Sequence, residues 1–142
     1  MLNELRVGEF LAALGERTPT PASGAATALT GALAAGLVEL AARFAEDEDA
    51  VVRAKAAVTR LVELADEDAA AYSAFMAERS EATRARIIEV PEEIAAQADA
   101  VAELGEAVRR QLRSSVAGDA EAGVELARTA ARVARRLAEL NR

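Results

Sequence analysis

Large apolar residues recur along this chain at spacings of three and four with polar residues between them. That period belongs to amphipathic helices; it defines five of them and leaves no strand candidate. The first is expected over about Leu2 to Leu14, with Leu5, Phe10, Leu11 and Leu14 inward and Gly15 as its C′ residue. The second is expected from about Pro21 to Ala45, where Leu29, Leu33, Leu37, Leu40 and Phe44 form one apolar face. Gly24, Ala28, Gly31 and Ala35 lie on another side and would admit a second helix at close range. The acids of Glu46–Asp49 suit the start of a third helix, where the dipole favours negative charge, or else a solvated turn. That helix carries Val51, Val58, Leu61, Val62, Ala65, Tyr72, Phe75 and Met76, and either runs on to Ile88 or breaks near Glu78-Arg79-Ser80. Pro91, followed by Glu92 and Glu93, is expected to open the fourth helix, whose stripe is Ile94, Val101, Leu104, Val108 and Leu112. Gly118 and Asp119 read as a C′ glycine followed by an N-cap. In the fifth helix Leu126, Ala130, Val133, Leu137 and Leu140 repeat as a heptad seam. The expected architecture is one all-α domain over residues 1–142, a bundle of five mostly antiparallel helices with short connections.

One connection is more constrained than the rest. In Thr18-Pro19-Thr20-Pro21 each proline pins its own φ and pushes the preceding residue out of the α region. Thr20 is expected to cap the second helix, with Pro21 at the first helical position. Ala22-Ser23-Gly24-Ala25 follow, and residues this small leave the first free N–H groups open to an anion or polar ligand. A plain cap before a buried alanine-rich helix is the other reading of the same residues.

Composition changes the picture in two ways. Of 142 residues 38 are alanine, whereas only three Phe and one Tyr supply aromatic bulk. Alanine brings helices together without filling much volume, so a lone monomer is expected to be thinly cored and a homodimer is favoured. Second, the chain has no histidine and no cysteine. Disulfides, thiol nucleophiles, Ser-His-Asp triads and zinc sites of the usual ligands are excluded, and acid–base chemistry falls to Asp, Glu, Tyr, Lys55 or a terminus. No metal and no tightly bound cofactor is expected. A net charge of −7 with no Trp argues against a nucleic-acid partner. The longest apolar run, Ala32 to Val38, falls short of a membrane span, and the start of the chain lacks the pattern of a signal peptide. The expectation is therefore a cytoplasmic protein with no membrane partner.

Among the acids, Asp66, Glu67 and Asp68 sit inside a helix, and aspartate competes there for backbone groups. Spacing places Asp68 near Leu61, Ala65, Tyr72 and Phe75, which lean inward. From spacing alone, Asp66 and Glu67 read as exposed and Asp68 as half exposed, with no role required of any of them.

Pro19-Thr20-Pro21 through Ala42 resembles the PTPGGGS-x-AALAGALAAALV signature of the cyclodeaminase/cyclohydrolase family. Leu64 to Ala77 is similar to that family's LIDEDAEAFNAVMAA pattern, in register, and Val90-Pro91-Glu92-Glu93 and Gly123-Val124 follow in the right order. The family includes the cyclodeaminase half of formiminotransferase-cyclodeaminase and stand-alone methenyltetrahydrofolate cyclohydrolases. The resemblance implies a tetrahydrofolate derivative as substrate. The reaction would be hydrolysis of 5,10-methenyltetrahydrofolate or cyclodeamination of 5-formiminotetrahydrofolate. Hydrolysis is preferred because the sequence carries no formiminotransferase half to feed a deaminase. It also implies that Asp68 is the acid–base group, in a cleft bordered by Thr20, Pro21, Ser23 and Gly24 on one side and by Glu121, Arg132 and Arg136 on the other.

The chain departs from the family at several points. Its three glycines appear as Ala22-Ser23-Gly24, the stretch between Met76 and Val90 is short, and the acid that precedes A-G-V appears as Glu121. Where the family reads approximately A-L-N-V-R-I-N-L, Ala130 to Leu137 places Arg132 and Arg136 at the two asparagines. Exchange of a neutral pair for two cations is not conservative. Two rival readings stay open: a non-catalytic helical dimer of the same fold, or a pocket for another anionic metabolite held by Arg132 and Arg136. Simple pairing of Arg128, Arg132, Arg135 and Arg136 with Glu125 and Glu139 along one helix accounts for these arginines too.

Overall fold

A computed structural model describes residues 1–142. After a 3₁₀ turn at Leu2–Glu4 come α1 (Val7–Gly15), α2 (Ser23–Phe44), α3 (Glu48–Ala77), α4 (Glu81–Arg109) and α5 (Val116–Asn141). Every element is helical, as the periodicity predicts. Helix α2 runs through the middle of the bundle and packs on α3, α4 and α5, while α4 also packs along α3 and α5.

The core of α4 follows its stripe of large residues. Ile87, Val90, Ile94, Val101, Leu104 and Val108 are all buried. In α2 the faces are reversed. Gly24, Ala25, Ala28, Gly31, Ala32, Ala34, Ala35, Val38, Ala41 and Ala42 are buried, whereas Leu33 and Phe44 are 68% and 63% exposed and Leu40 is exposed with them. Helix α5 does the same, burying Ala120, Gly123, Ala127, Ala130, Ala131, Ala134 and Ala138 and leaving Leu126, Val133 and Leu140 outside. The cause is close approach. A Cβ on Gly123 would come within 3.1 Å of the Ala34 carbonyl oxygen, and one on Gly105 within 2.7 Å of Val124 Cγ2. Small residues are what let the helices meet this closely, so the large ones point outward.

The first helix also differs from expectation. A bend at Leu5–Arg6 divides it, so the 3₁₀ turn and α1 are separate elements. Leu5 and Leu11 are exposed, Phe10 and Leu14 are half-buried, and no residue of α1 is buried. Gly15 ends the helix from within, with Glu16 as C-cap. The 3₁₀ turn is tied down instead, because the Leu2 N–H donates to Asp66 Oδ1 at 2.9 Å.

Three expected caps are replaced. Thr20 does not cap α2; the N-cap is Ala22, with no side-chain hydrogen bond. The Thr20–Pro21 peptide is cis, and the Thr20 carbonyl accepts the Thr18 hydroxyl at 3.2 Å. Residues 20–21 thus belong to the turn, which leaves Ala22 at the cap. Pro91 does not open α4 but lies inside it, because the helix starts ten residues earlier in sequence behind a capping box of Ser80 and Thr83. Asp119 is inside α5, whose N-cap is Ser115. At the start of α3, Asp47 accepts from the Ala50 N–H at 3.0 Å, and its hydrogen bonds to Gln111 and Ala50 hold its carboxyl below the usual range.

Of the two ways in which α3 could end, the break at Glu78–Ser80 is the one adopted. Arg79 and Arg84 flank the Phe75 ring there, each 5.2 Å from its centroid. By length and composition α2 could cross a membrane. An uninterrupted apolar run is therefore too strict a measure of such a helix. Half of its most apolar window is buried inside the bundle, as in a core helix.

Candidate functional site

A cleft of about 190 Å³ opens where the N-terminus of α2 meets α3, α4 and the end of α5. Pro19, Thr20, Ala22, Ser23 and Gly24 form one wall, Asp68 and Tyr72 of α3 a second, and Ile87, Pro91, Leu137 and Asn141 the rest. Asp68 and Tyr72 share a face because they are one helical turn apart.

The shape of the cleft depends on one missing methyl group. A Cβ on Gly24 would overlap the Asp68 carboxylate. Glycine lets the acid lie directly against the first turn of α2. Since no side chain caps α2, the N–H groups of that turn are left for solvent or a ligand.

Asp68 itself is half-buried. Burial pushes its carboxyl up to about 6, with no neighbouring cation or hydrogen-bond donor to oppose the shift. Loss of water disfavours the charged form, and nothing restores it. At neutral pH the group is mostly ionised and within reach of its proton, which is the condition for moving protons in both directions.

The two neighbouring acids are employed elsewhere and are less exposed than spacing suggests. Asp66 anchors the 3₁₀ turn through Oδ1, while its Oδ2 is buried without a partner. Glu67 accepts from Arg60 at 2.7 Å, and that bond holds its carboxyl below the usual range. Arg60 also reaches Glu93 of α4 at 2.7 Å, so this cluster ties α3 to α4.

Of the site residues expected from sequence, Thr20, Ser23, Gly24 and Asp68 line the cleft together. Pro21 is half-buried in the turn beside it. Glu121, Arg132 and Arg136 are not part of its lining. Glu121 is exposed and pairs with Arg109 at 3.5 Å. Arg132 donates to the Thr129 hydroxyl at 3.3 Å, and Arg136 pairs with Glu139 at 3.5 Å. The reason is angular. Leu137 and Asn141, four apart, share the helical face that closes the cleft, and Arg132 and Arg136, also four apart, share the adjacent exposed one.

Pro19, Ala22, Tyr72, Ile87, Pro91, Leu137 and Asn141 are the lining residues that the resemblance did not assign. Pro91 and Asn141 carried no legible sign, because a proline followed by two acids reads locally as the start of a helix and hides the carbonyl left in need of a donor.

The family model for formiminotransferase-cyclodeaminase matches residues 6–142. Among solved structures, the formiminotetrahydrofolate cyclodeaminase of Thermotoga maritima superposes with a TM-score of 0.91 at 23% identity, covering 99% of this chain and 80% of that one. At that identity the likeness concerns the fold. No curated protein matches the chain in sequence.

Proposed function

Because the chain belongs to the formiminotransferase-cyclodeaminase family, whose members act on tetrahydrofolate derivatives, we propose that it is a folate one-carbon enzyme with Asp68 as its acid–base group. Its reaction is hydrolysis of 5,10-methenyltetrahydrofolate or the related cyclodeamination of 5-formiminotetrahydrofolate. The observation that carries this reading is the lone carboxyl of Asp68, raised to about 6 by burial and admitted against the α2 N-terminus by Gly24.

In the hydrolysis, ionised Asp68 takes a proton from water as its oxygen bonds to the methenyl carbon. The same carboxyl returns that proton to N5 as the carbon–N5 bond breaks, and the added hydroxyl releases its own proton to solvent as it becomes the C=O of the formyl group on N10. In the cyclodeamination, N10 closes on the formimino carbon and gives up its proton, which Asp68 passes to the departing nitrogen; with one further proton from solvent that nitrogen leaves as ammonia. Both routes need one group that accepts and donates near neutrality. Tyr72 and the first-turn N–H groups of α2 hold and orient the ring. The Arg132–Arg136 face plays no part in this proposal.

The test is decay of methenyltetrahydrofolate absorbance above the buffer rate, and ammonia release from 5-formiminotetrahydrofolate in parallel. Asp68→Asn should lose roughly 10²–10⁴-fold in turnover while staying folded. For hydrolysis the base form is the active one, so kcat/KM should fall as pH drops through about 6. A wild type no faster than buffer on either substrate sinks the proposal and leaves a non-catalytic member of the fold.

We also propose that the chain works as a homodimer. The outward stripes of α2 and α5, with Leu33, Leu40, Phe44, Leu126, Val133 and Leu140, are covered by a second copy, as is α1, none of whose residues is fully buried on its own chain. Light scattering at micromolar concentration decides the matter, and a monomeric mass would overturn it.

A further inference from the structure

Helix α4 contains one carbonyl that its own backbone cannot satisfy. Pro91 is buried inside the helix, and a proline has no N–H to donate to the residue four positions back. That residue is Ile87. Its carbonyl instead accepts from the side-chain amide of Asn141, with Nδ2 2.7 Å away. A carbonyl oxygen only accepts, so the amide nitrogen must face it, and the amide is not free to turn over.

The amide oxygen is therefore directed away from Ile87. Its orientation is fixed by an atom in the backbone of another helix rather than by a flexible side chain. Asn141 lines the same cleft as Asp68, Tyr72 and Ser23. The side chain's only hydrogen bond is the one made by Nδ2, and its Oδ1 is not buried, so that oxygen is open to solvent or a ligand. The cleft thus presents a neutral acceptor of fixed direction opposite an acid.

Resting on the folate reading above, we propose that Asn141 is a substrate-binding residue whose amide oxygen accepts a hydrogen bond from the N–H edge of the bicyclic ring. A ring of that class carries amide and amino N–H donors side by side on one edge, whereas the other end of a folate offers only isolated N–H groups and its carboxylates offer none at neutral pH. An acceptor of fixed direction favours the paired donors of the ring. It also sets the ring's rotation in the cleft, and with it the distance between the reacting carbon and Asp68. Pro91 is then the positioning residue, because removal of its N–H is what turns the amide.

The inference separates from a purely structural role, in which Asn141 only satisfies the Ile87 carbonyl. Two fragments serve as probes in competition binding with the full-length protein: pterin-6-carboxylate for the ring and p-aminobenzoylglutamate for the tail. Asn141→Ala should weaken the ring fragment about tenfold and leave the tail fragment unchanged. It should also lower the melting temperature, because Ile87 loses its donor. Pro91→Ala gives residue 91 an N–H, so Asn141→Ala made in that background should cost no further melting temperature. Pro91→Ala alone should weaken the ring fragment, because the amide is no longer held, and the double variant should bind it no better than Asn141→Ala does. If ring affinity is recovered together with stability in the double variant, or if both fragments weaken equally in Asn141→Ala, the inference is wrong. Asn141→Ala binding that equals wild type overturns this inference and spares the folate reading. A wild type that takes neither fragment nor 5-formyltetrahydrofolate removes the folate reading, and this inference with it.

Discussion

Helices α4 and α2 carry equally clear stripes of large apolar residues, yet only the stripe of α4 lies inside. Ile94 and Val101 are buried, while Leu33 and Phe44 at matching periodicity are largely exposed. The difference lies on the opposite faces. The far side of α4 bears Glu92, Glu103 and Arg110, which can only face water. The far side of α2 bears Gly24, Ala28, Gly31 and Ala35, which can face either way. Given that choice, the bundle takes the face that lets backbones approach. Close approach brings many atoms to van der Waals distance, and interiors are packed to that limit. Periodicity finds the two faces of a helix, but it does not say which faces inward when both are apolar.

The sharpest way to break this contrast is to empty the α4 face. Ile94 is fully buried, and Ile94→Ala should cost about 2–5 kcal/mol in urea unfolding, the usual range for such a truncation. A loss below 1 kcal/mol would mean that the α4 stripe is not the core. Filling the α2 face comes next. Ala35 is fully buried among close helices, so Ala35→Leu should cost roughly 1–3 kcal/mol by overpacking, although it adds apolar surface. A stabilised Ala35→Leu would show that the seam has room to spare. The smallest effect belongs to the outward stripe. Leu33→Lys should change monomer stability by no more than about 0.5 kcal/mol. It should nevertheless shift the mass seen by sedimentation toward the monomer. Identical sedimentation of variant and wild type would remove Leu33 from any pairing surface.

These contrasts also mark what the residues disclosed. Helix number and the all-α class follow from local rules, because periodicity acts over one turn. For the end of α3 and the role of Glu46–Asp49 those rules leave two readings each, of which the structure adopts the break at Glu78–Ser80 and the Asp47 cap. In α2 the small face, Gly24, Ala28, Gly31 and Ala35, admits close neighbours as expected, but spacing does not tell that this face outcompetes the leucine stripe, nor that the same holds in α5. The cap of α2 differs from expectation because Thr20 and Pro21 stay in the turn and the helix begins only after Ala22. For the cleft, Ser23, Gly24, Thr20 and Asp68 came from motif resemblance, and the cleft unites them. Asn141 and Leu137 were beyond reach. Whether they or Arg132 and Arg136 close the site depends on how α5 is rotated against α4, a tertiary quantity that a heptad seam leaves open.

The contact of Gly24 with Asp68 also constrains what position 24 can hold. Alanine is already present in α2 at 25, 26 and 28. At position 24 its methyl group would overlap the Asp68 carboxylate where that group now lies, so alanine could enter only with the carboxylate turned away from the α2 N-terminus. The choice of residue at position 24 thus sets where the acid at position 68 rests.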